Sequence, residues 1–263
     1  MFKWDAKEYQ KSSSAQQKWA KELIKKMDIN GSEKMLDLGC GDGKITSEIA
    51  THLETGCILG IDSSEDMIKL ANETFPENEQ PNLKFKVKDF QDLNYDEDFD
   101  LIFSNAALHW AKDHSNILKS IQRSLKPNGK LLIQMGGKGN AKEILDIGNE
   151  MTHQPEWNNY FQDFSFPYGF YDTETYGKWL KEAGLKALRV ELISKIMDQN
   201  GVEGLKSWMQ TVWLPYTQRI PTDLQEKFID DVANKYLESH PLDKDGMVHV
   251  NMVRLEVEAL NSK

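Results

Sequence analysis

Met35-Leu36-Asp37-Leu38-Gly39-Cys40-Gly41-Asp42-Gly43-Lys44 is the stretch on which the reading of this chain turns. An apolar run stops at three glycines set two apart, and Ile45-Thr46-Ser47-Glu48-Ile49-Ala50 then has the composition of a helix beginning. A strand, a tight turn and a helix start follow one another. Glycine is needed where the backbone takes φ > 0 or closes on a ligand, and a helix N-terminus offers unpaired N–H groups to a polar or anionic group. A glycine-rich turn can also do no more than reverse the chain, so the flanking segments decide its meaning.

Upstream, Ala15, Trp19, Leu23 and Met27 recur every four residues with Ala20 and Ile24 beside them. This is the buried stripe of one helix, capped by Ser12-Ser13-Ser14, running to about Asp28 and closed by Asn30-Gly31. Downstream, Cys57-Ile58-Leu59-Gly60-Ile61-Asp62 is a second apolar run, which ends in a carboxylate and completes a βαβ unit. Ser63 or Ser64 caps a third helix with Met67, Ile68, Leu70 and Ala71 inward. Leu83 to Val87 alternates apolar and charged residues and leads into Asp89-Phe90, and Phe99 to Ser104 opens into Asn105-Ala106-Ala107-Leu108-His109-Trp110. A helix carrying Ile117, Leu118, Ile121 and Leu125 breaks at Pro127-Asn128-Gly129, and Lys130 to Met135 is the fifth strand. Strands alternating with helices imply a doubly wound, mostly parallel sheet, which binds ligands at the carboxyl ends of its strands.

Past Gly136-Gly137 the pattern loosens. Residues 141–152 read as a helix, residues 153–170 are an aromatic insertion without a period, and Thr173 to Ala183 is a helix before a strand from Ala187 to Ile193. Residues 201–240 are helical, with Leu205, Trp208, Met209, Val212 and Trp213 on one face. We expect residues 1–30 as an arm and helix over the ligand edge, 31–200 as the core, 201–245 as a helical cap and 246–263 as a returning final strand.

The 263 residues carry a formal charge of −10, from 32 basic and 42 acidic side chains, and have no Lys/Arg cluster of the kind that neutralises phosphates. Nucleic acid is not an expected partner. Cys40 and Cys57 stand singly, one in the glycine turn and one opening a strand, so neither a disulfide scaffold nor a metal site is expected. No run approaches the ~20 apolar residues that span a bilayer, and no signal-like stretch follows Met1. A soluble cytoplasmic protein is expected, its oligomeric state open.

Asp37, Asp62 and Asp89 stand at strand ends, and Asp100 stands at the entrance of strand four. A carboxylate about 20 residues beyond the glycines, such as Asp62, is placed to accept from two ribose hydroxyls. Any one of them alone could be a helix cap or a solvated side chain. As a set with Asp37-Leu38-Gly39-Cys40-Gly41-Asp42-Gly43 they resemble the motifs of class I S-adenosylmethionine (SAM)-dependent methyltransferases. The resemblance covers about residues 30 to 135 and departs from the dinucleotide G-x-G-x-x-G pattern at Lys44. It implies a Rossmann-like seven-stranded sheet with SAM as cofactor and S-adenosylhomocysteine as product. It places Gly39, Cys40 and Gly41 against the methionine part, Asp62 at the ribose, and Met67 and Phe90 around the adenine, and it counts Asp37 and Ser63 among the cofactor-binding residues. Asp89 accepts from the adenine amine, and Asn105-Ala106 lie by the sulfonium.

A narrower resemblance, carried by Tyr9, Ser12 to Gln16 and Asn105 to Trp110, is to methyltransferases that esterify small carboxylates, namely those of trans-aconitate and of juvenile hormone acid. It puts Tyr9 at the cofactor and makes Gln16 and Trp110 hydrogen-bond donors to the acceptor carboxylate. Methyl transfer to an ionised carboxylate needs positioning and exclusion of water, not a base. For a neutral oxygen or nitrogen acceptor His109 would be the base, unless it is structural. Trp213 and Tyr216 either line an acceptor pocket or form the core of the cap. An NAD oxidoreductase and a SAM-binding protein without catalysis remain as the other readings.

Overall fold

The computed structural model describes the backbone of residues 14–263 and the side chains from residue 17 onward. Tyr9, and the side chain of Gln16, lie outside the described residues. The strands are β1 (Lys34–Leu38), β2 (Cys57–Asp62), β3 (Leu83–Val87), β4 (Phe99–Asn105), β5 (Leu125–Gly136), β6 (Leu185–Gln199) and β7 (Val248–Asn261). They form one sheet in the order β3-β2-β1-β4-β5-β7-β6. β1 to β5 are parallel, and β7 returns antiparallel to β5 with Leu260 opposite Lys130 and Arg254 opposite Gly136.

The helices are α1 (Ser14–Ile24), α2 (Lys44–Ala50), α3 (Glu65–Thr74), α4 (His114–Ser124), α5 (Lys142–Met151), α6 (Thr173–Glu182), α7 (Gly201–Val212), α8 (Leu214–Thr217) and α9 (Thr222–Ser239). Alternation along the strands makes the two-sided core. Leu36, Ile102, Leu131 and Val257 face Ile117 of α4 and Leu180 of α6. Met35, Leu101, Phe103 and Leu132 face Leu23 of α1 and Ile49 of α2. Full burial of each such side chain is worth about 1.5–3 kcal/mol, and β1, buried along Met35–Leu38, is the strand on which both layers rest.

Three boundaries differ from the sequence reading. α1 stops at Ile24, short of Asp28, and the residues beyond it bind the sheet instead: Lys26 Nζ donates to Glu256 and Lys130 Nζ to Asp28. Leu125 belongs to β5, opposite Phe99, and Pro127-Asn128-Gly129 interrupts that strand without separating it from the helix, Asn128 standing at φ 60°. β6 extends well beyond Ala187 to Ile193.

The described chain divides into two compact units. The sheet unit comprises residues 16–138, 168–193 and 254–263. The second unit combines residues 139–167 with 194–253, so residues 153–167 of the aromatic segment lie with the helices after residue 200, whereas Tyr168 to Phe170 belong to the sheet unit. The reason lies in its interior, where Trp157 meets Phe228 of α9 edge-on and Phe161 stacks on the same ring. Among the described residues no helix is long and apolar enough to cross a membrane.

Candidate cofactor and acceptor site

The turn after β1 is built by backbone hydrogen bonds to β2. The N–H groups of Gly39 and Cys40 both donate to the Ile61 carbonyl, at 2.8 and 3.0 Å, and that of Gly41 donates to Asp62 Oδ2 at 3.1 Å. Gly39 stands at φ 73°, and a Cβ there would lie 2.2 Å from the methyl of Ala107. Gly41 stands at φ 54°, yet a Cβ there would meet nothing within 4 Å. One glycine is thus enforced by packing behind the turn, whereas the other faces open space in front of it.

Asp62 ends β2 with Oδ1 accepting from Ser64 N at 2.9 Å and Oδ2 from Gly41 N. A carboxylate offers about four acceptor positions, so two backbone donors orient it and leave it able to accept again. Burial pushes its pKa up, against the pull of the Ser64 and Gly41 N–H groups. Ser63 adjoins it, Ser64 caps α3 by accepting from Met67 N, and Met67 is buried. Asp89 caps the turn Phe90–Asp92 by accepting from Gln91 N at 2.8 Å, with Phe90 half-buried beside it.

Two carboxylates do other work. Asp37 lies within β1, 2 % exposed, and accepts from Thr46 Oγ1 at 2.6 Å, tying the strand to α2 from behind the turn. This position lets it support the turn through α2, and burial pushes its carboxyl up to about 7. Asp100 opens β4 at the opposite, amino edge of the sheet, where it accepts from Lys34 N and Lys126 Nζ. Cys40 is buried beside Gly60, and that burial pushes its thiol up, away from reactivity.

At the end of β4, Asn105 is opposite Gln134 and Ala106 takes φ 57°, its N–H donating to the Gln134 carbonyl. A left-handed alanine costs about 1–2 kcal/mol, so the chain turns here under strain. The turn Leu108–Trp110 follows. His109 and Trp110 meet Tyr168 and Phe170, which stack on each other with ring centroids 5.2 Å apart, and Gly169 N donates to the His109 carbonyl. Tyr168 and Phe170 were not singled out by the sequence; their alternation across Gly169 was the available signal. His109 Nδ1 is buried with no hydrogen-bond partner among the described residues. Burial, then the charge of Arg254, then His114, hold the His109 ring well below the usual histidine range.

Trp213 and Tyr216 lie inside the second unit. Trp213 covers Gly148 so closely that a Cβ there would be 2.7 Å from its ring, and Tyr216 donates its hydroxyl to Asn149 Oδ1 at 2.7 Å. With 1 % and 0 % exposure they are packed inside this unit. A cavity of about 530 Å³ in the same unit is lined instead by residues such as Asn149, Asn158, Gln162, Phe161 and Phe164.

The sheet edge fits a nucleoside cofactor. The open face of Gly41 is a cradle, Asp62 keeps acceptor positions that hydroxyl donors could use, and Phe90 with Met67 offers apolar surface two strands away. A family model described as "Methyltransferase domain" matches residues 29–184. An uncharacterized methyltransferase of Schizosaccharomyces pombe is 32% identical over 79% of each chain. A trans-aconitate 2-methyltransferase of Deinococcus radiodurans is 29% identical, covering 90% of this chain and 92% of its own, and one of Methylobacterium nodulans is 25% identical over the whole of both. Among solved structures, the YcgJ protein of Bacillus subtilis (TM-score 0.64, 15% identity, 94% of this chain and 99% of its own) shares the fold. So does a Haemonchus contortus phosphoethanolamine N-methyltransferase in complex with S-adenosylhomocysteine (TM-score 0.62, 18% identity, 98% and 57%). A glycine cradle on this sheet, in a chain matched by the family model over more than half its length, has one meaning: the protein belongs to the methyltransferase-domain family and is a class I SAM-dependent methyltransferase.

Proposed function

We propose that the enzyme methylates a carboxylate oxygen of a small organic acid. The observation that carries this acceptor class is the state of His109. A general base for a phenol or amine works best with a pKa near the operating pH and with a partner that orients it. His109 is held well below that range, and its Nδ1 has no partner among the described residues. An ionised carboxylate needs no base, since its ordinary pKa near 4 leaves it charged at neutral pH. The full-length likeness to enzymes named trans-aconitate 2-methyltransferase supports the same class.

In this reading Gly39, Cys40 and Gly41 take the methionine part of SAM, and Asp62 with Ser63 takes the ribose. Met67 and Phe90 flank the adenine, Asp89 accepts from its amine, and Asn105 and Ala106 lie near the sulfur. When bound, SAM supplies a methyl group on a sulfonium, a good leaving group for in-line displacement. Trp110 Nε1–H and the Gln16 amide donate to the acceptor carboxylate and fix which oxygen lone pair is presented. The rings of Tyr168, Phe170 and His109 exclude water, so proximity supplies most of the acceleration.

The test is purified protein with methyl-labelled SAM and a panel of trans-aconitate, aliphatic monocarboxylic acids, phenols and amines. Labelled, base-labile esters from the acids are expected; label transferred only to phenols or amines would overturn the carboxylate reading. The cytoplasmic, small-molecule role expected from composition belongs to the same proposal.

A further inference from the structure

We propose that Arg254 is a specificity-determining residue that anchors a second carboxylate of the acceptor, making the enzyme selective for di- and tricarboxylic acids over monocarboxylic ones. This rests on the carboxylate reading above.

The placement comes from the sheet. β7 runs antiparallel to β5, and Arg254 stands opposite Gly136, the last residue of β5, hence at the carboxyl edge where β4 also ends. Along β7, Leu255, Val257 and Ala259 enter the core layer on one face. Alternation turns Arg254 and Glu256 to the other. Glu256, two residues further from the edge, is engaged by Lys26 at 2.6 Å, by Gln134 at 3.0 Å and by Arg189. Arg254 is 3 % exposed, with its guanidinium 5.3 Å from the centroid of the Trp19 ring in α1. A guanidinium held against an indole face keeps its planar fork in one orientation, suited to two parallel hydrogen bonds with a carboxylate.

The same geometry separates Arg254 from the cofactor. β7 is three strands from β1. At about 4.8 Å per strand that is ~14 Å from the glycine turn, on the side away from Asp62 and Asp89. The acidic residues line the end where the nucleoside belongs, and the buried cation stands at the other. It also adds to the field that keeps His109 uncharged, so two positive groups do not compete for one anion. Few buried positions on a chain of net charge −10 would attract a polyanion.

The experiment compares kcat/KM for trans-aconitate with that for crotonate, a monocarboxylate of similar unsaturation, in the parent, Arg254→Met and Arg254→Lys. S-adenosylhomocysteine binding by calorimetry reports on fold and cofactor site. The parent should prefer trans-aconitate. Arg254→Met should raise KM for trans-aconitate ~100-fold, leave crotonate within ~3-fold and so collapse the preference, with S-adenosylhomocysteine affinity unchanged. Arg254→Lys keeps the charge but not the fork, and should raise the trans-aconitate KM ~10-fold; should Arg254→Met not fold, this variant decides. Parent-like KM in Arg254→Lys, equal losses for both acids, or weakened S-adenosylhomocysteine binding with acceptor KM unchanged would each overturn the anchor while leaving a carboxylate methyltransferase. A parent that methylates no carboxylate overturns both.

Discussion

At the carboxyl ends of β1 and β2 the polar groups come from residues 39 to 64, are acidic, and are held by backbone N–H donors. At the ends of β4 and β5 they come from Trp19, Asn105 to Trp110, Tyr168, Phe170 and Arg254, and are neutral, aromatic or basic. One half of the edge is a local motif that makes its own geometry in about 25 residues, as glycine turns generally do. The other is assembled across the length of the chain. The first kind of site tolerates little change in its backbone but is insensitive to distant contacts; the second depends on register and packing far from the chemistry.

The largest effect expected lies in the support of the local half. Asp37 is raised from the usual 3.8 to about 7 by burial. A folded pKa above the unfolded one means that the native state holds its proton longer, so the part of stability linked to Asp37 is greatest below about pH 4 and falls as pH rises to about 7, by on the order of 4 kcal/mol. His114, pushed down to about 4 by burial, runs the other way, gaining stability from about pH 4 to pH 6.5. The parent profile therefore mixes two slopes, but the difference between parent and Asp37→Asn isolates one. Urea unfolding at pH 4, 5.5 and 7 should show the variant free of the falling component; a pH-independent difference would mean that Asp37 keeps an ordinary pKa.

Next comes the turn. Gly39→Ala places a methyl 2.2 Å from that of Ala107 at φ 73°. Overpacking with a left-handed alanine should cost about 3 kcal/mol of stability and more than ~30-fold in S-adenosylhomocysteine affinity. Gly41→Ala, facing open space at φ 54°, should cost only the ~1–2 kcal/mol of a left-handed alanine in stability, with the loss of cofactor affinity as its main effect. Equal stability losses in the two would remove the distinction between the back and front of the turn.

Asp62→Ala should weaken both SAM and S-adenosylhomocysteine by ~1.5–3 kcal/mol in calorimetry, through lost hydrogen bonds to a charged acceptor. Wild-type affinity in this variant would move the ribose elsewhere. In the assembled half, Trp110→Phe and Gln16→Ala should each lower kcat/KM for the acid ~10- to 100-fold with cofactor affinity intact. The smallest effect is expected at His109. Because its ring is neutral throughout, the chemical step should be flat from about pH 6 to 8 and His109→Asn should lose less than ~3-fold; a rising limb near pH 6.5 that disappears in the variant would make His109 a base.

Periodicity and punctuation were enough for the order and type of nearly every element, because helices and strands of this length are specified by residues next to one another. They also put the glycine turn and Asp62 at one edge of the sheet, since residues at strand ends lie at the carboxyl edge of any doubly wound sheet. A strand's sequence gives its two faces but not which partner covers each. That Asp37 turns to Thr46 and Asp100 to Lys126, while Asp62 turns to Gly41, was decided by packing. Trp213 and Tyr216 are apolar enough for a pocket or for a core, and only the tertiary structure packs them against Gly148 and Asn149. Arg254 reads as one basic residue in an alternating strand. Its place at the edge came from the register of β7 against β5, a contact between residues more than 100 apart whose closure no local pattern encodes.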